Sequence, residues 1–110
     1  MVAQYANNYE DTTNFSDTTT RLALTDGAEL TYTVPGNAEN RYQALFGFSS
    51  NATIYVGYNS TAAIPADNTV VSTGRVEVNP LKRFVNGGDV LSFVTSDATA
   101  GVGVSLRALP

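Results

Sequence analysis

Carboxylates are the main side chains here that offer general acid–base chemistry, because the sequence contains no histidine and no cysteine. That composition excludes Ser-His-Asp and Cys-His nucleophiles, and it excludes zinc sites built from the usual ligands. Paired carboxylates can hydrolyse glycosidic bonds, and the candidate pairs are Glu77 with Asp89 and Glu10 with Asp11. No motif constrains either pair to converge, so the sequence favours structural roles for all four. We therefore expect a protein without enzymatic activity.

Metal and phosphate sites have equally weak support. Asp89 and Asp97 offer oxygen ligands for calcium, but no Asp-x-Asp ladder or EF-hand spacing accompanies them. The glycines at 87, 88, 101 and 103 do not lead into a helix, as the glycines of a phosphate-binding loop do. The sequence predicts no metal and no cofactor.

Positive charge is scarce, and its one local concentration is Lys82 and Arg83 together with Arg107, provided that the last strands adjoin. This group can dock an acidic partner surface, or it can simply offset Glu77 and Asp89. With six Lys and Arg and a net charge of −4, the chain lacks the clustered cations that nucleic-acid binding requires. Its low charge instead suits contact with another protein.

Three tyrosines suggest an alternative function in glycan binding. Tyr42, Tyr55 and Tyr58 would form a sugar-stacking platform if they shared a face, although Tyr58 alternates with Ile54 and Val56 and so reads as core. Tyr55 falls on the opposite face of the same strand, where it can reach a partner. Tryptophan, the commonest stacking residue, is absent.

Residues 1–20 form a polar arm that fits neither helical nor strand periodicity. It carries three aromatic residues, Tyr5, Tyr9 and Phe15. One interpretation is a poorly ordered terminus, and the other is a segment that orders on a partner with these aromatics as anchors. The arm has no signal-peptide pattern, and no apolar run approaches the ~20 residues that span a bilayer, so we expect no membrane partner. The absence of cysteine agrees with synthesis in a reducing cytoplasm.

Residues 21–110 read as one β-domain. Runs of alternating apolar and polar residues are closed by turns at spacings of roughly 8–12 residues, the pattern of an antiparallel β-sandwich or barrel. We predict a jelly-roll-like sandwich of about eight short strands. The predicted strands are 21–25, 28–34, 41–48, 53–59, 70–78, 82–85, 90–95 and 102–108. Asp-Gly at 26–27 and Asn-Gly at 86–87 also predict two hairpins, each between the strands that flank it.

The chain resembles the small capsid decoration or cement proteins of epsilon15-like tailed bacteriophages. The resemblance rests on chain size and on three loose patterns: residues 32–35 (YTVP), residues 79–89 (NPLKRFVNGGD) leading into strand 90–95, and the closing residues 104–109 (VSLRAL). It spans most of the chain after residue 21, but it includes no signature motif.

The resemblance implies a jelly-roll-like fold on the outer capsid surface of a virion, made in the host cytoplasm. It further implies that the chain pairs as a homodimer at local two-fold axes and clamps neighbouring major capsid protein subunits. It assigns no functional residues. From the sequence itself we place the partner interface at the arm aromatics, at Tyr55, and at the cations Lys82, Arg83 and Arg107, together with any unpaired edge strand. The alternative is a glycan-binding module of a head or tail fibre.

Overall fold

The computed structural model describes residues 18–69 and 75–109, which form eight β-strands and no helix. The strands are β1 (Thr18–Thr25), β2 (Leu30–Thr33), β3 (Arg41–Phe48), β4 (Ile54–Tyr58), β5 (Val76–Val78), β6 (Lys82–Asn86), β7 (Val90–Thr95) and β8 (Thr99–Ala108). The predicted all-β class and the number of strands are confirmed. The boundary predicted at residue 21 falls inside β1. The arm aromatics Tyr5, Tyr9 and Phe15 lie outside the described residues, as does the first part of the run predicted at 70–78.

The strands form two four-stranded antiparallel sheets. The first sheet has the order β1-β8-β3-β6 and the second has the order β2-β7-β4-β5. Every connection between consecutive strands crosses from one sheet to the other, except the connection between β4 and β5. Eight strands arranged in two such sheets make a jelly roll, which confirms the predicted sandwich.

The predicted hairpin at residues 26–27 is wrong, because β1 and β2 belong to different sheets. Gly27 has a φ of 73°, and its N–H donates to the carbonyl of Thr95 at 2.9 Å. The turn therefore attaches to β7 of the second sheet rather than closing a two-stranded ladder. A positive-φ glycine reverses the chain equally well at a sandwich corner and in a hairpin.

The predicted hairpin at residues 86–87 is wrong for the same reason, since β6 pairs with β3 while β7 pairs with β2 and β4. The turn instead packs on the β2–β3 connection. Gly88 donates to the carbonyl of Val34 at 2.8 Å, and Gly87 donates to the carbonyl of Asn40 at 2.8 Å. A Cβ on Gly87 would lie 2.6 Å from the backbone nitrogen of Asn37, so this close approach requires glycine.

The core lies between the inner faces of the two sheets. Alternation along the strands places these apolar side chains there, as the period-two pattern predicts. The buried cluster comprises Leu24, Val34, Ala44, Phe46, Ile54, Val56, Val85, Leu91, Phe93, Ala100, Val102, Val104 and Leu106. Phe46 joins the sheets at its centre: its ring meets Phe93 edge-on, with 6.3 Å between centroids, and stacks on Phe48 at the same distance.

The outer faces of the two sheets differ. The first part of the β4–β5 connection, residues 59–69, lies over the outer face of the second sheet, where the N–H of Ala62 donates to the buried hydroxyl of Ser92 at 2.9 Å. A Cβ on Gly57 would lie 2.5 Å from the carbonyl oxygen of Ser60, so the connection packs directly on β4. Most side chains on the outer face of the first sheet are exposed among the residues described. In the part of the chain that the structure describes, the first sheet thus has the more exposed outer face.

Candidate functional site

The sandwich is open along the side where the edge strands β5 and β6 face each other, one from each sheet. Buried core side chains and edge side chains together enclose a groove of about 460 Å³ there. The groove is lined by Phe46, Val56, Tyr58, Arg75, Val76, Glu77, Pro80, Arg83, Phe84, Val85 and Leu91. Its size falls in the range of small-ligand pockets, about 300–1,000 Å³. This open side is the first candidate site.

An ion pair bridges the two sheets across the groove. Arg83 on β6 donates from Nε and Nη2 to the two carboxylate oxygens of Glu77 on β5, at 2.6 and 2.5 Å. Its Nη1 also donates to the carbonyl of Lys82 at 2.6 Å, which satisfies part of the β6 edge. The hydrogen bonds from Arg83 lower the pKa of Glu77 below its usual value. Glu77 is therefore a paired carboxylate and lacks the raised pKa of a general acid.

The stretch of chain from β5 to β6, at this open side, carries three exposed apolar side chains. We call Val78, Leu81 and Phe84 the apolar edge, and their exposed fractions are 53%, 76% and 72%. Phe84 is exposed because it alternates with Val85, which is 1% exposed and points into the core. Of the other large apolar residues described, only Leu30 and Ile64 are exposed, each at 38%. Phe84 is directed to the outer face of the first sheet and Val78 to that of the second, so this open side exposes apolar surface toward both faces. Exposed large apolar side chains that fall in one region of the surface favour a contact site.

Asp89, the second predicted carboxylate, is a hydrogen-bond hub in the β6–β7 turn. It accepts from the backbone N–H of Asn86 at 2.8 Å and from the Asn59 amide at 3.2 Å. Partial burial raises the pKa of Asp89, but these bonds and one from Tyr58 outweigh it, so the net pKa is lowered. The same bond to Asp89 raises the pKa of Tyr58. Asp89 thus organises a turn, and neither it nor Glu77 has the pKa of a proton donor near neutrality.

The calcium pair suggested by Asp89 and Asp97 does not form. The two residues flank β7 at opposite ends, and a six-residue strand places its ends roughly 20 Å apart. Asp97 instead accepts from the N–H of Thr53 at 2.9 Å. In the described ranges, no group of three or more His, Cys, Asp or Glu residues is placed to hold a metal ion.

The outer face of the first sheet is the second candidate site, and we call it the basic face. Its cations are Arg21, Arg41, Lys82 and Arg107, and its other members include Gln43, Leu45, Phe84 and the glycines at 47, 101 and 103. The strand register places these residues on the same side, with Gln43 between Phe84 and Arg107, and Leu45 between Lys82 and Ser105. The Arg107 guanidinium donates to the Gln43 side chain. The basic face adjoins the apolar edge through Phe84.

The predicted cation group is therefore divided. Lys82 and Arg107 share the basic face, but β3 lies between β6 and β8, so their strands do not adjoin. Arg83 points to the other side of β6, where it pairs with Glu77. Arg21 joins the face from β1, which sequence reasoning missed; its alternation with buried Leu24 indicated an outward position but not which strands would flank it.

The three tyrosines proposed as a platform do not share a face. Tyr42 and Tyr58 pack against the core from different sheets, while Tyr55 is half-buried on the outer face of the second sheet, between Val78 and Val94. The guanidinium of Arg75 lies over the Tyr58 ring, 5.6 Å from its centroid. A sugar would therefore find no common stacking surface on these three rings.

Comparisons with protein-family models, with curated proteins and with solved structures gave no match. Among the described residues, no helix has the length and apolar character to cross a membrane.

Proposed function

We propose that this chain is a non-enzymatic structural protein of a bacteriophage virion. It acts as a capsid decoration or cement protein that binds the outer shell and clamps neighbouring major capsid subunits. The observation that carries the proposal is the apolar edge: Val78, Leu81 and Phe84 are each more than half exposed, they fall within one short stretch of chain at the open side of the sandwich, and Phe84 lines the groove. The sequence resemblance supplies the class of partner, and the jelly-roll fold is one that viral capsid domains use.

The apolar edge fits a contact between proteins better than it fits the stability of the isolated chain. Phe84 and Leu81 keep about three quarters of their surface in water, so folding gains little from them. The flanking strands β5 and β6 each pair on one side only in the residues described, so a partner segment could add to either strand. Burying the apolar edge against a shell subunit would remove its apolar surface from water. It would also let the unpaired backbone N–H and C=O groups of β5 and β6 form hydrogen bonds with the partner.

Binding of this kind stabilises a shell by mass action. A ligand that binds the assembled shell and not the separated subunits shifts the equilibrium toward assembly. We further propose that the chain binds as a homodimer at local two-fold axes, so that one patch serves twice. The second contact then forms at high effective concentration, which raises the overall affinity for the shell although each individual contact is unchanged.

The glycan-binding alternative has less support. It requires aromatic rings presented together, and Tyr42, Tyr55 and Tyr58 lie on three different surfaces. A glycan array that gave hits abolished by changes at Tyr58 would restore it.

Reconstitution of depleted shells tests the proposal. Shells from virions that lack this chain are incubated with purified chain, and their survival is measured on heating and on treatment with a chelator. We expect the chain to raise the temperature of shell disruption, and we expect Leu81→Ser/Phe84→Ser to fail. Ile64→Ser is the matched control, because Ile64 is an exposed apolar residue on the connection that covers the second sheet. Depleted shells that were already as resistant as complete shells would refute the proposal.

A further inference from the structure

Charge is distributed unevenly over this acidic chain. The basic face carries four of the six Lys and Arg residues, although the net charge is −4. The side-chain carboxylates of the described residues all lie elsewhere, in connections or on β5. They are Asp26, Glu29, Glu39, Asp67, Glu77, Asp89 and Asp97. Among the described residues, this face therefore holds Arg21, Lys82 and Arg107 with no carboxylate beside them on the face.

Two of its cations are held in place by neighbours on the sheet. Arg107 donates to Gln43, which fixes the direction of its guanidinium. Arg21 lies across Gly101, where a Cβ would collide with its guanidinium. Lys82 and Arg107 are separated by two strand spacings and about two residues, so their Cα atoms lie roughly 12 Å apart.

We propose that the basic face docks an acidic protein surface. This inference rests on the proposed function and specifies its partner: the part of the shell that this face covers presents carboxylates. Charge complementarity between the two surfaces guides encounter and fixes orientation, while Phe84 at the margin joins the apolar edge to the same contact.

A protein partner fits this face better than a nucleic acid. Leu45 and Phe84 interrupt the cations, and a surface that mixes arginine with an exposed aromatic residue has the composition of protein-interface hot spots. Nucleic acids are bound by dense stripes of cations that neutralise successive phosphates. Here the cations are few, and the rest of the chain is negative and would repel a phosphate backbone.

Retention on immobilised poly-L-glutamate at low salt tests the face without the shell. We expect the chain to be retained, and we expect Lys82→Gln/Arg107→Gln to bind about tenfold more weakly, as loss of two interface charges implies. The control Thr61→Glu/Ala63→Glu changes net charge equally, by −2, at exposed positions over the other sheet, and should bind like the parent. Equal retention of all three proteins, or tighter binding to duplex DNA than to poly-L-glutamate, would overturn the inference.

Binding to depleted shells then separates the inference from the proposed function. We expect affinity for shells to fall as salt rises, with Lys82→Gln/Arg107→Gln weaker than the parent and the control unchanged. Tight shell binding that changed neither with salt nor with these substitutions would refute the inference that the partner surface is acidic. It would leave the proposed decoration function unaffected. Absence of shell binding by the parent, together with specific retention on poly-L-glutamate, would refute the decoration function and leave the acidic docking face standing.

Discussion

Phe84 and Phe93 offer the sharpest comparison between surface and core, because the same substitution at each should have very different costs. Phe84 on β6 is 72% exposed, whereas Phe93 on β7 is 0% exposed and packs edge-on against Phe46. Folding hides only about a quarter of the ~200 Å² surface of Phe84, worth at most ~1.4 kcal/mol at ~25 cal/mol per Å². Alanine keeps part of that contact, so Phe84→Ala should cost about 1 kcal/mol or less. Phe93→Ala should cost about 3–5 kcal/mol, since it also leaves a cavity.

Urea denaturation of the two variants, followed by far-UV circular dichroism, checks these values. We expect Phe84→Ala to shift the midpoint by at most about 1 M, given an m-value of about 1–2 kcal/mol/M for a domain of this size. Phe93→Ala should remove a large part of a total stability of about 5–15 kcal/mol. If the two substitutions cost the same, or if Phe84→Ala cost above about 3 kcal/mol, Phe84 would be part of the core and the apolar edge would not be a free contact surface.

Three further substitutions probe the turns and the pH response. Asn79 has a φ of 46°, and its side chain accepts from the N–H of Ile54 and donates to the carbonyl of Ala52, both at 2.8 Å. Asn79→Ala should therefore lower the free energy of unfolding by about 2–3 kcal/mol, because it removes both bonds and strains the backbone. Asn79→Gly should lower it less, since glycine tolerates this φ, and thermal denaturation measures both changes. Gly87→Ala should lower the free energy of unfolding by about 1–3 kcal/mol, because the added Cβ collides with the backbone. Gly47→Ala is the control and should be near neutral, because a Cβ there faces open space. Equal thermal midpoints for the two variants would refute the close packing at Gly87. Because the folded pKa of Asp89 is lowered, its stabilisation is present above about pH 4 and is lost as pH falls through the folded pKa. The urea midpoint should therefore fall less between pH 7 and pH 3 in Asp89→Asn than in the parent protein. The same fall in both proteins would contradict the stabilising role of the Asp89 carboxylate.

Alternation along single strands was readable from the sequence because it depends on local geometry alone. The period-two pattern of β3 placed Ala44 and Phe46 inward, and that of β8 placed Val102, Val104 and Leu106 inward, as found. Burial of one face forces this pattern wherever a sandwich forms.

The pairing of the strands could not be predicted from the sequence in the same way. The turns at 26–27 and 86–87 have the residues of hairpin turns, yet both lead the chain from one sheet to the other. The residues of a turn specify a change of chain direction. Whether the next strand pairs with the preceding one or enters the other sheet depends on which apolar faces must be buried together. Local propensity contains no information on that choice.

The same limit applies to the candidate site. The sequence indicated Lys82 and Arg107 as cations, but only the order β1-β8-β3-β6 brings them onto one face with Arg21. Arg83 was grouped with Lys82 because they are adjacent, although neighbours in a strand point to opposite sides. Phe84 was predicted within a strand, where its alternation with Val85 directs it outward, but only the strand order shows that β6 lies at an edge of its sheet.

The number of copies of this chain per purified virion tests the central claim most directly. If the chain is a capsid decoration protein, quantitative gel analysis should give a fixed ratio to the major capsid protein, because a symmetric shell repeats each binding site. A few copies per particle, or no copies at all, would contradict the claim and assign the chain to a fibre, a tail or no part of the virion.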